Sequence, residues 1–327
     1  MGAAKTASLR PEAGSHPPRF DLRLKNARIA PISMPCRARL TGARSVDKES
    51  KKKMRNRMTR LLVGTSFTSA ALLSGCVQFV PVKDMANDKP GYLAAHFAVD
   101  SLPTSVREKM PAPGTHVLPF KVLTVLGKVT GHVGTVGIER DFKTVLINAQ
   151  DTGMVQQVYE SSANGVPAAA TFSLSYLNIY SLKEETANYA QTAAFIPFVA
   201  HDADNNQFAF NAPQEDETYT TTFKFGTTVQ IVNFRALTWT CHTSRYYPAS
   251  QFNAAFTGKA IDLDCEQTKD GIVQNKTRRT YLTQYGIGLT RSVATTSGKL
   301  DWTYSGFDKD GQQTLTPHGQ AAIEKPI

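Results

Sequence analysis

Asp262 and Asp264 stand two residues apart in a run that alternates apolar and polar side chains, so a strand presents both carboxylates on one side. A carboxylate pair is what a glycosidase uses, one group as acid and the other as base or nucleophile. Without a further partner the same pair reads as a solvated face. His242, Arg245, Tyr246 and Tyr247, followed by Pro248, form a basic and aromatic loop beside Cys241. Arg245, Tyr246 and Tyr247 are candidate contacts for a partner or for stacking on a sugar, against the plainer reading of tyrosines packed under a loop.

Other clusters offer less. Asp202, Asp204 and Asn206 match the first three ligand positions of an EF-hand loop, but Gln207 takes the place of the turn glycine and Pro213 that of the bidentate glutamate. A polar hairpin turn fits better, and Asp308, Asp310 and Gly311 form a similar turn. Glycines 127, 131, 134 and 137 suggest a phosphate cradle only weakly, because Lys128 is misplaced; they read as bends between strands. Histidines 96, 116, 132, 201, 242 and 318 show no metal-ligand spacing. There is no Gly-x-Ser-x-Gly elbow, Walker loop, His-Glu-x-x-His or Cys-x-x-Cys. No residue is assigned a catalytic role, and no cofactor or metal is expected.

The stretch that orders the rest is 54–76. Arg55, Arg57 and Arg60 precede an apolar run from Leu61 to Leu73, which ends in Leu73, Ser74, Gly75 and Cys76. A basic start, a short apolar middle and a small-residue end make a secretory signal peptide. This thirteen-residue run, which also holds Thr65, Ser66, Thr68 and Ser69, reaches about 20 Å as a helix, short of the roughly 30 Å hydrocarbon core. The segment Leu73–Cys76 resembles the lipobox of bacterial lipoproteins. That resemblance implies a diacylglyceryl group on Cys76, cleavage just before it and acylation of the new amino group. Several acyl chains anchor stably where one holds marginally. Val77, where an aspartate would signal inner-membrane retention, implies the outer membrane.

Residues 1–53 hold 13 Lys and Arg against four acids, a net +9, with frequent prolines and no amphipathic period. They read as a disordered leader from an upstream overrun of the reading frame, with translation starting at Met54 or Met58. A basic arm that binds nucleic acid is the rival reading. The whole chain carries +10; removing the leader and the three signal-peptide arginines leaves −2 for residues 76–327. The basicity therefore belongs to discarded residues and argues for no nucleic-acid partner.

Residues 76–114, with Pro81, Pro90, Pro103, Pro111 and Pro113, read as a lipidated tether. A helical turn is expected at Thr104–Lys109, and Phe79, Tyr92, Phe97 and Leu102 are candidates to dock on the domain instead. Residues 115–310 form the expected β-rich periplasmic domain, and 311–327 a flexible tail. β-Branched and aromatic residues alternate between Gly, Asn and Asp punctuation, which predicts strands near 117–125, 134–139, 144–148, 155–160, 170–180, 207–211, 218–225, 228–239, 259–266, 280–292 and 299–305. Leu182, Thr186, Tyr189 and Ala193 recur at helical spacing and predict a helix over Lys183–Phe195. The expected fold is mainly β: an antiparallel sandwich or partly open barrel with one short helix. Cys36 lies in the leader and Cys76 is the lipid site, so Cys241 and Cys265 remain to pair in an oxidising compartment; two free buried thiols are the alternative. The function expected is a membrane-anchored envelope lipoprotein that binds or supports a protein or polymer partner without catalysis. The alternative is a hydrolase acting on envelope carbohydrate or peptide.

Overall fold

The computed structural model describes residues 81–194, 196–204, 208 and 212–315. The leader, the signal peptide, Cys76, Asn206, all but Phe208 of the strand expected at 207–211, and residues 316–327 lie outside the described residues.

Twelve strands form the wall: β1 (Val122–Val133), β2 (Val136–Ala149), β3 (Met154–Ala163), β4 (Val166–Tyr176), β5 (Tyr180–Asn188), β6 (Phe198–Ala203), β7 (Thr218–Thr227), β8 (Arg235–Thr243), β10 (Lys259–Lys269), β11 (Ile272–Leu282), β12 (Ile287–Thr295) and β13 (Gly298–Lys309). A two-residue β9 (Tyr247–Pro248) extends the wall beside β10, and β14 (Gln312–Leu315) pairs with β13. Each strand is antiparallel to the next, and β1 pairs with β13 from Leu123↔Lys309 to Val133↔Gly298. That last pairing makes the sheet a closed barrel, more definite than the sandwich or partly open barrel read from sequence. Closure removes the two sheet edges that would otherwise recruit foreign strands.

Because the strands run alternately up and down, their connections fall at two ends. At one end, here the rim, the links are mostly tight. Asn164 and Gly165 close one hairpin with φ of 53° and 76°, and Asp270 and Gly271 another with 49° and 81°. Both pairs supply the two positive-φ positions that a two-residue hairpin needs. At the opposite end the links are longer, and they fill the base with Leu118, Phe120, Leu177, Phe208, Phe256 and Tyr285, all buried. Phe256 meets Phe307 there at 4.0 Å between ring centroids.

The stretch expected as a tether is seated on the barrel from Pro81 onward. It forms helices α1 (Val82–Asn87), α2 (Lys89–His96) and α3 (Thr104–Arg107). Met85, Leu93, Phe97, Leu102 and Val106 are buried against the outer wall. Tyr92 and Phe97 pack on Phe172 of β4 at 4.9 and 6.1 Å. α3 is the helical turn expected at Thr104–Lys109, with Pro103 in the cap position.

The helix expected over Lys183–Phe195 is instead strand β5, then a connection. Lys183, Glu185 and Ala187 alternate outward under α2 while Glu184 and Thr186 face inward. A strand covered on both faces loses the polar-apolar alternation that would betray it, and tertiary packing overrides the helical spacing. Thr228–Trp239 is a strand only from Arg235. Thr280–Ser292 is two strands parted by a turn at 283–286, where Gly286 has φ +67°. The expected flexible tail begins with β14. Among the described residues no helix is long and apolar enough to cross a membrane.

Candidate functional site: the barrel lumen

The inward faces of β3–β5, β7, β8 and β10–β13 do not close completely on one another. They leave a cavity of about 730 Å³ toward the rim and an adjoining one of about 230 Å³. Ile179, Ser181, Glu184, Arg279 and Val293 line both, so they mark the junction. The upper part is walled by Phe198, Phe225, Leu237 and Trp239 on one side and by Gln267, Lys269, Gln274 and Asn275 on the other. The lower part is ringed by Gln157, Tyr159, Thr171, Ser173, Ser175 and Trp302. Both tryptophans of the chain thus face the lumen.

Local backbone geometry sets this lining. Leu174 pairs with Lys183 and Ser175 with Ser181, so Leu182 is an extra residue in β5. That bulge turns both Ser181 and Glu184 inward although they are three residues apart. A second bulge, at Arg291 of β12, turns both Thr290 and Val293 inward and Arg291 outward; Arg279 enters the lumen by the ordinary alternation of β11, which leaves Arg278 on the outer wall with Asp264. Arg279 Nη1 donates to the Asn178 carbonyl at 2.9 Å, and Ser181 Oγ donates to Glu184 Oε2 at 3.4 Å.

Glu184 is open to a water-sized probe yet surrounded by protein, which means that the solvent it meets is cavity water. Enclosure pushes its carboxyl above the usual range, with Ser181 and the Arg279 charge pulling the other way. Enclosure lowers the Arg279 guanidinium, which nearby Tyr304, Tyr180 and Glu184 partly restore. Burial also raises the phenols of Tyr159 and Tyr304. The lumen therefore presents the Glu184 carboxyl, the Arg279 guanidinium, the Lys269 ammonium, several amides and hydroxyls, and aromatic faces. It can hold a polar molecule by hydrogen bonds and stacking.

The residues singled out in the sequence lie elsewhere. Cys241 and Cys265 are register partners on β8 and β10 and form a disulfide of 2.06 Å. Asp262 and Asp264 share one face of β10, the outer one. The Asp262 carboxylate, 16% exposed, accepts from Tyr247 Oη (2.7 Å), Thr280 Oγ1 (2.7 Å) and Arg291 Nη1 (2.9 Å). Burial and that carboxylate push the Tyr247 phenol up to about 12. Asp264 is held by Arg278 at 2.7 Å. His242 borders an open depression on the same wall, where Lys276 and Arg278 pair with Glu266 and Asp264. Tyr246 donates to the Pro213 carbonyl and exposed Arg245 pairs with Asp216 at 3.2 Å. Tyr246 and Tyr247 are thus packing groups.

Asp202 bridges Lys109 and Lys224, both at 3.0 Å, which draws its carboxyl down to about 2. Asp310 Oδ1 accepts the backbone N–H of Lys121 and Val122, fixing the entry to β1. Among the described residues no group of three or more His, Cys, Asp or Glu is placed to hold a metal ion. Sequence reasoning missed Glu184, Arg279, Trp239 and Trp302. The two tryptophans were the available signal, since large aromatics in a polar context mark binding surfaces.

The fold and site define a closed up-and-down barrel with a polar, aromatic-lined lumen. No protein-family model and no curated protein matches the chain. Among solved structures it is similar to a beta-barrel-like protein with a domain of unknown function, DUF1849, from Brucella abortus (TM-score 0.33, 9% identity, 59% of this chain and 99% of the other). It is also similar to a DUF1329 family protein from Desulfovibrio piger (TM-score 0.29, 10% identity, 70% of this chain and 93% of the other). Neither is close enough to carry a function to this chain.

Proposed function

We propose that the chain is an envelope lipoprotein, anchored through acyl chains on Cys76 in the outer membrane and facing the periplasm, whose barrel binds a polar segment of a partner polymer without cleaving it. The observation that carries this reading is the lumen lining: Trp239, Trp302 and Tyr159 offer stacking faces among Gln157, Gln267, Asn275, Glu184 and Arg279. Stacking faces interleaved with amides and opposite charges suit a glycan segment, whose rings have apolar faces and whose hydroxyls both donate and accept. The disulfide supports an oxidising location.

One observation favours the hydrolase alternative: a carboxyl raised by enclosure, as at Glu184, is the form a general acid takes. Glycoside hydrolysis uses a second carboxylate across the bond. Glu185, the next residue, has its carboxylate turned to Tyr92 on the outer wall. Binding without cleavage is therefore the stronger reading.

Tryptophan emission reads the lumen directly, because both tryptophans line it. Titration with soluble peptidoglycan fragments is expected to shift the emission and to protect it from acrylamide, with the sugar recovered intact. Trp239→Phe with Trp302→Phe should weaken binding measured by calorimetry. Unchanged emission at saturating fragment would overturn the glycan reading, and recovery of cleaved fragments would favour the enzyme.

A further inference from the structure

Nine of the eleven large apolar side chains exposed among the described residues fall at the rim, the end toward which the larger cavity lies. They include Val136, Val166, Phe198, Ile231, Val232 and Ile272, and they come from the β1–β2, β3–β4, β5–β6, β7–β8 and β10–β11 connections. Ile231 is 85% exposed. Scattered apolar residues need no explanation, but a ring of them at one end does.

Charge is divided the same way. The rim connections, 134–135, 164–165, 189–197, 228–234, 270–271 and 296–297, contain one charged residue, Asp270, which pairs with Arg235 at 3.0 Å. Lys269 and Lys299 stand at the rim ends of β10 and β13, and Lys299 pairs with Asp301 at 2.8 Å. The connections at the opposite end carry Asp151, Asp204, Glu215, Asp216, Glu217 and Asp310 against Lys121 and Arg245. An apolar ring whose border charges are mostly paired fits a bilayer interface, and the end with the net acidic charge does not.

The described chain also begins at the rim. Pro81 bridges Ala193, and Val82 N donates to the Thr192 carbonyl at 3.2 Å, both in the β5–β6 connection. Cys76 precedes Pro81 by five residues, a span of at most about 18 Å. A lipid group on Cys76 is therefore confined near the ring of apolar side chains.

We infer that the rim rests on the phospholipid leaflet that holds the Cys76 acyl chains, so that the barrel sits mouth-down on the membrane instead of standing off it on a tether. This rests on the lipid anchor proposed above. The lumen then opens toward the bilayer surface, and the glycan segment that it takes is one presented there.

The test uses the full chain in a Cys36→Ser background, produced in bacteria and reconstituted into phosphatidylethanolamine and phosphatidylglycerol vesicles that contain a doxyl-labelled phospholipid. Ile231→Cys and Ile272→Cys, each carrying a nitrobenzoxadiazole label, should be strongly quenched, whereas Lys121→Cys at the opposite end should not. Membrane-bound protein with no quenching at 231 or 272 would overturn the inference and leave the anchor standing. If the chain is not membrane-bound and Cys76→Ala behaves identically, the anchor fails instead. The same vesicles added to that Cys76→Ala protein then decide the rim alone: quenching at 231 and 272 upholds it, and its absence ends it.

Discussion

The hydroxyl of Tyr92 on α2 donates to the carboxylate of Glu185 on β5, a residue only 4% exposed. This bond, with Lys183 Nζ donating to the His96 carbonyl at 2.6 Å and lying 5.2 Å from the centre of the Phe97 ring, ties the N-terminal helices to the barrel. Polar groups beneath a helix are tolerated because each is partnered; removing one partner leaves the other desolvated.

Tyr92→Phe is therefore expected to destabilise the protein by about 1–3 kcal/mol at pH 7. Burial already holds the Glu185 carboxyl above its usual range, with the Tyr92 hydrogen bond and the Lys183 charge pulling it back. Losing the hydroxyl raises it further. A carboxyl raised in the folded state favours folding below its unfolded value and costs stability as pH climbs through the folded value. The deficit should thus shrink at pH 4 relative to pH 7, which denaturant unfolding at the two values measures. An equal deficit at both would mean that the lost hydroxyl acts only as packing.

The same site shows what the sequence could and could not say. Lys183, Glu184 and Glu185 look like the charged face of a surface helix, yet one charge is buried under α2, one faces the lumen and one accepts from Tyr92. No local pattern carries that information, because it depends on helices that pack from one side and strands that close on the other. The class of fold was legible, since alternation marked most of the wall, and Cys241, just past the strand expected at 228–239, meets Cys265 near the end of that expected at 259–266. Asn164-Gly165 and Asp270-Gly271 are strong hairpin signals, and with the second goes most of β11, whose residues 272–279 lie outside the expected strands. Val229, Ile231 and Val232 misled in the other direction: β-branched residues read as wall are exposed at the rim.

Cys241 and Cys265 close a loop with a sequence separation of 24. On the chain-entropy model this stabilises the fold by about 3.5 kcal/mol. Replacing both by alanine should lower unfolding stability by up to about that amount while the barrel stays closed. Reductant should destabilise the parent protein and leave the double variant unchanged. If reductant affects both alike, the bridge is not the source of the difference.

Gly127 sits where β1 slips its register against β13. A Cβ there would stand 2.1 Å from the Thr303 carbonyl oxygen and 2.6 Å from Phe142 Cζ, so backbone must move. Gly127→Ala should cost about 1–3 kcal/mol or more. Gly137, with nothing within 4 Å of its added Cβ, is the control, and its alanine variant should fall within about 0.5 kcal/mol of the parent. Thermal unfolding of the two variants side by side separates a packing requirement from a general intolerance of strand substitutions.

Asp202 is the second fastening of the N-terminal segment, because Lys109 follows α3 while Lys224 belongs to β7. Its carboxyl is drawn from 3.8 to about 2 by hydrogen bonds from Lys109 and then Lys224. A depressed folded-state value contributes stability above the unfolded value and loses it as pH falls through the folded one, so this contribution fades between about pH 4 and pH 2. The group is partly exposed, and each pair is worth at most about 1 kcal/mol. Asp202→Asn should therefore leave global unfolding nearly unchanged at pH 7 but loosen residues 104–110, seen as faster amide exchange there. Acidification of the parent protein to pH 2 should lower the protection of the same amides relative to their intrinsic exchange, and protection at 104–110 that ignores both the substitution and the pH would show that buried Val106 and Leu102 hold the segment without help from the charges.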